Sequence, residues 1–222
     1  MSRQVLSTPM RILAVSDEAD PGLCNAKVLR QRAGDVQLII SCGDLPATYL
    51  DFVASMLGRP LLYVRGNHFW QDTRQGTRPM AGGDLDNRVV VEQGLLIGGL
   101  EGCMRYKPGQ AQYTDLEMWG KVLRMMPRLV LNRFNHGRAI DILVTHAPPF
   151  GIHDRPDRTH QGFRAFLRLM EWFQPQYLLH GHIHVWDRRE CTHTLYRKTH
   201  VVNVYPWQII EIDHSIMDAR RG

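Results

Sequence analysis

No stretch of this 222-residue chain holds enough apolar residues in a row to cross a bilayer. The longest apolar runs, at residues 36–40, 61–64, 95–100 and 142–144, fall far short of the roughly 18 residues that a spanning helix needs. Met1, Ser2, Arg3 and Gln4 open onto no secretory signal core. Cysteine is sparse. Cys24, Cys42, Cys103 and Cys191 are far apart and form no Cys-x-x-Cys pair, which argues against a disulfide framework or a thiolate zinc site. Lysine is as sparse: Lys27, Lys107, Lys121 and Lys198 are the only ones, and arginine supplies most of the 27 basic residues. There is no internal repeat, no low-complexity tract and no Pro/Ser-rich linker, so residues 1–222 read as one domain. Ser16, Ser41 and Cys42 lie near strand ends, but none sits in a Gly-x-Ser-x-Gly elbow, which sets aside a serine or cysteine hydrolase. The expectation is a soluble, cytoplasmic protein.

What is present is ordinary globular material, 44% hydrophobic and 22% charged, outside the range of disordered or coiled-coil chains. The net charge of +5 suits an anionic partner such as a phosphate ester or a nucleic acid, and equally suits simple solubility. Short apolar runs recur, at residues 11–16, 36–40, 61–65, 141–145 and 177–180, and their length fits strands covered on both faces. Helical patterns lie between them. Residues 26–32 stop at Gly34, and residues 49–57 stop at Gly58 and Pro60. Thr114 with Glu117 forms a capping-box pattern for a helix from Asp115 to about Arg124, where Pro127 bends or breaks it before a second segment to about Phe134. In residues 162–173, Phe163, Phe166, Leu167, Met170 and Phe173 recur at helical spacing. Residues 194–212 alternate and read as two or three antiparallel strands with a turn near Tyr205 and Pro206. Strand–helix alternation followed by late hairpins predicts an α/β domain with mixed sheets.

The chemistry follows the strands. Asp17, Glu18 and Asp20 come after the first, Gly43-Asp44 after the second, and Gly66-Asn67-His68 after the third; His146 follows the fourth, and Gly181-His182-Ile183-His184 the fifth. Ligands of α/β sheets bind beyond the carboxyl ends of the strands. Oxygen and imidazole donors without thiolate make a metal-site inventory that favours Mn, Fe or Zn. A glycine ahead of a donor lets the chain turn sharply. On an extended segment residues two apart point the same way, so His182 and His184 can face one cluster.

With those five blocks in that order, the sequence resembles the calcineurin-like metallophosphoesterase superfamily, from Arg11 to about Asn203. Residues 102–106, 112–114 and 145–154 look like a little-characterised prokaryotic branch of it. The resemblance implies a four-layer αββα sandwich of two mixed β-sheets. It also implies two divalent metal ions, with Asp44 bridging, Asn67, His146 and His182 completing one site, and Asp17 and His184 holding the other. His68 would stand by the phosphate as hydrogen-bond donor or general acid. The implied reaction is hydrolysis of phosphodiesters or phosphomonoesters by attack of a metal-bridging hydroxide.

Two positions depart from the family pattern. Ala19 stands where a histidine ligand is expected, so the first site lacks an imidazole, and Glu18 or Asp20 are the nearest replacements. Phe69 stands where a carboxylate usually orients the histidine. In the segment 153–160, two arginines and two histidines are candidates to receive a phosphate, His160 among them, as is Arg105. The competing readings are a protein-binding scaffold that has lost ligands, which a large exposed apolar patch would favour, and a metal-dependent nuclease, for which no aromatic-interleaved basic patch is present. The expected partner is a phosphate ester; nucleic acid is allowed by charge alone, and no membrane partner is expected.

Overall fold

A computed structural model describes residues 9–68, 78–187 and 189–212. Met1–Gln4 and Phe69, on which two of the sequence readings rest, lie outside the described residues.

The first half of the chain builds one sheet. Strands β1 (Met10–Val15), β2 (Leu38–Ser41), β3 (Leu61–Tyr63) and β4 (Gly82–Asp84) run parallel, linked by helices α1 (Ala26–Ala33) and α2 (Ala47–Leu57). A second sheet follows from β5 (Arg88–Glu92), β6 (Leu95–Leu100), β9 (Ile142–Thr145), β10 (Tyr177–His180), β11 (His193–Tyr196) and β12 (Thr199–Asn203). Its strand order is β11-β12-β10-β9-β6-β5, parallel in the middle and antiparallel at both edges. A small parallel ribbon, β7 (Cys103–Met104) with β8 (Gln112–Tyr113), precedes α3 (Asp115–His136), and α4 (Arg164–Phe173) precedes β10.

Strand side chains alternate between two faces, and here each face has its own core. From β1, Ile12 and Ala14 enter a central cluster with Leu38, Ile40, Leu62, Ile97, Ile142, Val144, Leu179 and Val202, which joins sheet to sheet. The intervening Leu13, Val15 and Ile39 pack instead against Leu29 of α1 and Leu50 and Val53 of α2. Leu143, Leu178 and Val201 pack against Met118, Val122, Met125 and Leu129 of α3 and Phe166, Leu169 and Met170 of α4. Three stacked cores between four layers are the αββα sandwich, two mixed sheets with helices on both outer faces.

Two sequence expectations change. The last strand, β13 (Trp207–Ile212), does not continue the hairpin of β11 and β12; it crosses to the first sheet and pairs antiparallel with β1, Met10 opposite Ile212. Helix α3 runs unbroken for 22 residues through Pro127. Proline removes one N–H, and the carbonyl left without it belongs to Leu123, an exposed residue whose carbonyl water can solvate. The capping box of Thr114 and Glu117 is formed as expected. The β5–β6 hairpin went unread, although its Gln93-Gly94 turn, with φ of 51° and 80°, is the left-handed pair that tight hairpins favour.

Candidate metal centre

The carboxyl ends of β1, β2 and β3 in one sheet face those of β9 and β10 in the other. Each end delivers its donor within a residue or a few. Asp17, Asp44 and His182 all hold left-handed backbone, with φ of 64°, 56° and 66°. Non-glycine residues in that region carry strain, which collects at functional sites. The glycines beside them serve different purposes. Gly43 turns the chain at φ 104°. Gly66 and Gly181 do not; a Cβ on Gly66 would strike the Asp44 carboxylate, and one on Gly181 would strike Ser16 and Asp17. These two glycines clear space for the acids.

Donor atoms of Asp17, Asp44 and His146 lie within 4.8 Å of one another. His146 is fully buried, and its Nδ1 donates to the Cys42 carbonyl at 2.8 Å. Its Nε2 therefore faces two oxygens, Asp44 Oδ2 at 3.2 Å and Asn67 Oδ1 at 3.2 Å. The Asn67 amide is turned that way by its Nδ2, which donates to the Tyr106 hydroxyl at 3.4 Å. Three acceptors converging on one point call for a cation, either a proton on Nε2 or a metal ion. Burial depresses the His146 pKa, but the Asp44 carboxylate and Asp17 outweigh it and raise it to about 9. A histidine whose far nitrogen is fixed by a carbonyl is the arrangement that metal-binding imidazoles adopt. The donor set fits a divalent metal.

Asp17 forms the other half. Its Oδ2 accepts the His182 backbone N–H at 2.8 Å and the Ser16 hydroxyl, while Oδ1 faces His184 Nε2 at 3.8 Å. Burial works to raise its pKa, yet His184, His146 and Ser16 hold it down at about 2. The His182 ring stacks at an angle beside His146, centroids 4.8 Å apart, and its Nε2 donates to the Thr159 carbonyl at 2.8 Å. Burial and the His146 charge lower the His182 pKa to about 4, so the ring is neutral with Nδ1 as its acceptor.

Ala19 sits against the core beneath α1 and α2 and offers nothing to the cluster. Asp20 does not replace it, because Oδ1 accepts Leu23 N–H in its own turn. Glu18 accepts the Tyr205 hydroxyl at 2.5 Å, and the Tyr205 ring stacks on His184 at 4.7 Å and 13°. Glu18 thus acts on His184 through a tyrosine.

A cavity of about 390 Å³ opens on this cluster, lined by Asp17, Asp44, His68, His182 and His184, with Arg155, Thr159, His160 and Trp186 at its rim. His68 is exposed there, and its backbone N–H donates to Asp44 Oδ1 at 2.8 Å. Arg105 does not line this cavity. Its guanidinium donates to Glu117 at the start of α3, at 2.9 Å, and to the Gln112 carbonyl. His160 does line it, held by Asp157 at 2.9 Å.

Sequence reading missed Thr159, Trp186, Tyr205 and Asn203. Asn203 is buried at the end of β12, donates to the Ile183 carbonyl at 2.8 Å and accepts Tyr205 N–H at 3.1 Å, so it ties the His182–His184 segment to Tyr205. The only local signal was Asp157, whose Oδ1 takes the N–H groups of Thr159 and His160 in a side-chain turn that presents the Thr159 carbonyl.

Two mixed sheets between helices, with carboxylate, amide and imidazole donors gathered at the facing strand ends, define a protein built to hold divalent cations. The chain matches the calcineurin-like phosphoesterase family over residues 10–186 and belongs to it. It is therefore a member of a family of metal-dependent hydrolases of phosphoesters. No curated protein matches the sequence significantly. Among solved structures, TT1561 of Thermus thermophilus superimposes with a TM-score of 0.60 at 16% identity, covering 96% of each chain. A hypothetical protein from the same organism superimposes with a TM-score of 0.51 at 17% identity, over 87% of this chain and 75% of that one. At such identities the likeness speaks for the fold. Among the described residues, no helix is long and apolar enough to cross a membrane.

Proposed function

We propose that this protein hydrolyses phosphodiesters, with phosphomonoesters as poorer substrates, at a two-metal centre held by Asp17, Asp44, Asn67, His146, His182 and His184. The observation that carries this reading is the convergence of Asp44 Oδ2, Asn67 Oδ1 and His146 Nε2 beside Asp17, acceptors with a cation-shaped need between them. When bound, divalent ions such as Mn, Fe or Zn acidify a water and neutralise the attacking and leaving oxygens. Asp44 would be the residue shared between the two ions, because its donor oxygen lies within 4.8 Å of donor atoms of both His146 and Asp17. Cys42 and Thr159 carbonyls fix the tautomers of His146 and His182, so each ring turns a lone pair to the cluster.

His68 stands at the cavity wall and hands a proton to the leaving oxygen. Arg155, whose Nη2 already donates to the His184 carbonyl at 2.9 Å, and His160 receive the free phosphoryl oxygens at the rim. Trp186, 75% exposed and edge-on to His184, offers a flat face to the second ester group, which supports the preference for diesters. Arg105 has no part in this reading. All four cysteines are free, in keeping with a reducing, cytoplasmic setting.

The test is the equilibrium stoichiometry of Mn²⁺ on metal-stripped protein, beside hydrolysis of a chromogenic diester and its monoester. Two ions per chain, lost with diesterase activity in Asp44→Asn, is the expected result. A single ion would reduce the centre to one metal, and no binding would end the catalytic reading. Loss of poor-leaving-group turnover in His68→Ala, with good leaving groups spared, would support its proton transfer.

A further inference from the structure

The side of α3 that faces away from the sandwich carries an apolar stripe flanked by the exposed charges of Glu117, Arg124, Arg128 and Arg133. Met118, Val122, Met125 and Leu129 are buried. On the opposite face Leu116, Leu123, Val130, Leu131 and Phe134 are exposed, Leu116 by 79% and Phe134 by 84%. A surface helix ordinarily keeps that face polar. The exposed series Leu116, Gly120, Leu123, Pro127, Val130, Phe134 advances by alternating steps of four and three residues, the seam spacing of helices that pack on other helices. Trp172 of α4, its ring 5.8 Å from Trp119, widens the patch on one flank. Contiguous exposed apolar surface of this kind marks an interaction site.

The series is also symmetric about Met125. Leu116 and Phe134 stand nine residues to either side, Gly120 and Val130 five, Leu123 and Pro127 two. A two-fold axis passing α3 at Met125 would set each member of a pair against its counterpart on a second, antiparallel copy. Gly120 would then face Val130, and a Cβ built on Gly120 meets nothing within 4 Å, so the branched side chain has room to approach the backbone. The charges follow the same symmetry. Asp115 and Glu117, the latter also paired with Arg105 of its own chain, occupy the first turn, and Arg133 and His136 the last; Glu117 and Arg133 each lie eight residues from Met125. An antiparallel pair places acid against base at both ends, whereas a parallel pair places like against like.

The chain's own ends do not begin near this face. Met10 pairs with Ile212 in the five-stranded sheet, whose outer side carries α1 and α2, on the far side of the sandwich from α3. None of the stripe residues lines the metal-centre cavity.

We infer that α3 is the contact between two copies of this chain, in an antiparallel pair whose two-fold axis passes at Met125. Such a contact is isologous and closes at two copies. The inference stands independently of the metal chemistry.

Sedimentation velocity of the full chain across micromolar concentrations is the first test, and a dimer is expected. Leu123→Glu puts an acid against Pro127 of the second copy beside the axis and should weaken that dimer by at least tenfold. Its circular dichroism should match that of the parent, because Leu123 is exposed in the single chain. The register is tested by Gly120→Cys with Val130→Cys, in a background where the exposed Cys24 and Cys191 are changed to Ser. Oxidation should link two chains, and the pair Leu116→Cys with Gly120→Cys should not link them. A parent chain that stays monomeric overturns the inference. So does a dimer indifferent to Leu123→Glu, whose interface would lie elsewhere. A dimer weakened by Leu123→Glu but never cross-linked through 120 and 130 overturns the antiparallel register.

Discussion

Protonation ties the metal centre to the folded state through individual histidines. His146 is raised to about 9 by Asp44 and Asp17 against the pull of burial. A raised pKa contributes stability in full below the unfolded value near 6.5, and that stability is lost as pH climbs through 9. His180, His153 and His182 are driven the other way, chiefly by burial, to about 3, 4 and 4. The His153 ring lies against His180 at 3.0 Å and against the Thr194 hydroxyl at 2.9 Å, with no carboxylate in the pair to keep a charge. Those rings stay neutral in the fold while the unfolded chain takes up protons below about 6.5, so stability falls as pH drops toward 4. Asp17, held down at about 2, gives up its share only as pH falls from near 4 through 2. The melting temperature of metal-stripped protein should therefore peak close to pH 6.5 and decline on both sides. A melting temperature that climbs from pH 7 to 9 would refute the His146 assignment.

At the scale of elements, the crossing from β12 to β13 does more than close the first sheet. It carries Tyr205 over His184, with the tyrosine hydroxyl anchored on Glu18 at the end of β1. The carboxylate next to Ala19 thus reaches His184 through the Tyr205 ring. Tyr205→Phe keeps the ring and the packing but releases Glu18. Outer groups that orient metal donors typically contribute 10–100-fold in affinity. About a tenfold loss of Mn²⁺ affinity for one of two ions is expected by equilibrium dialysis, with the melting temperature of the metal-free protein little changed. Helix α3 shows the same economy. Its buried face completes a core, its capping box recruits Arg105 through Glu117, and its outer face carries a symmetric apolar seam.

For the whole molecule, the decisive feature is that the donors come from both sheets. Asp17, Asp44 and Asn67 follow strands of the first, and His146, His182 and His184 follow strands of the second. A metal held by the proposed set would cross-link the two halves of the sandwich, whose own contact is the apolar layer around Ile40, Leu62, Val144 and Leu179. Metal should therefore stabilise the chain as one unit. At a hundred times the dissociation constant, the linkage amounts to about 2.7 kcal/mol. Calorimetry should show one transition moving upward with Mn²⁺, and the shift should vanish in Asp44→Asn. A second transition that ignored the metal would mean that the sheets unfold separately.

Local chemistry alone determined the strands that carry donors and the order of those donors. An apolar run of four to six residues followed by a donor, behind a glycine after β2, β3 and β10, is complete within a few positions, so β1, β2, β3, β9 and β10 were legible, as were the caps of α3 and the end of α2 at Gly58. Tertiary structure decided the rest. Strand β13 has the same alternation whichever sheet it joins, and only the open edge beside β1 chose its partner. Pro127 reads as a break until the solvent-facing side of α3 is known. Arg105 reads only as a basic residue beside a glycine-rich strand end until Glu117 is seen to pair with it. Glu18 and Tyr205 are 187 residues apart, and Thr159 reaches His182 from a separate loop, so no spacing in the chain announces either contact. Neighbours in sequence fix turns and periodicity, whereas contacts between distant residues exist only after the sheets have stacked.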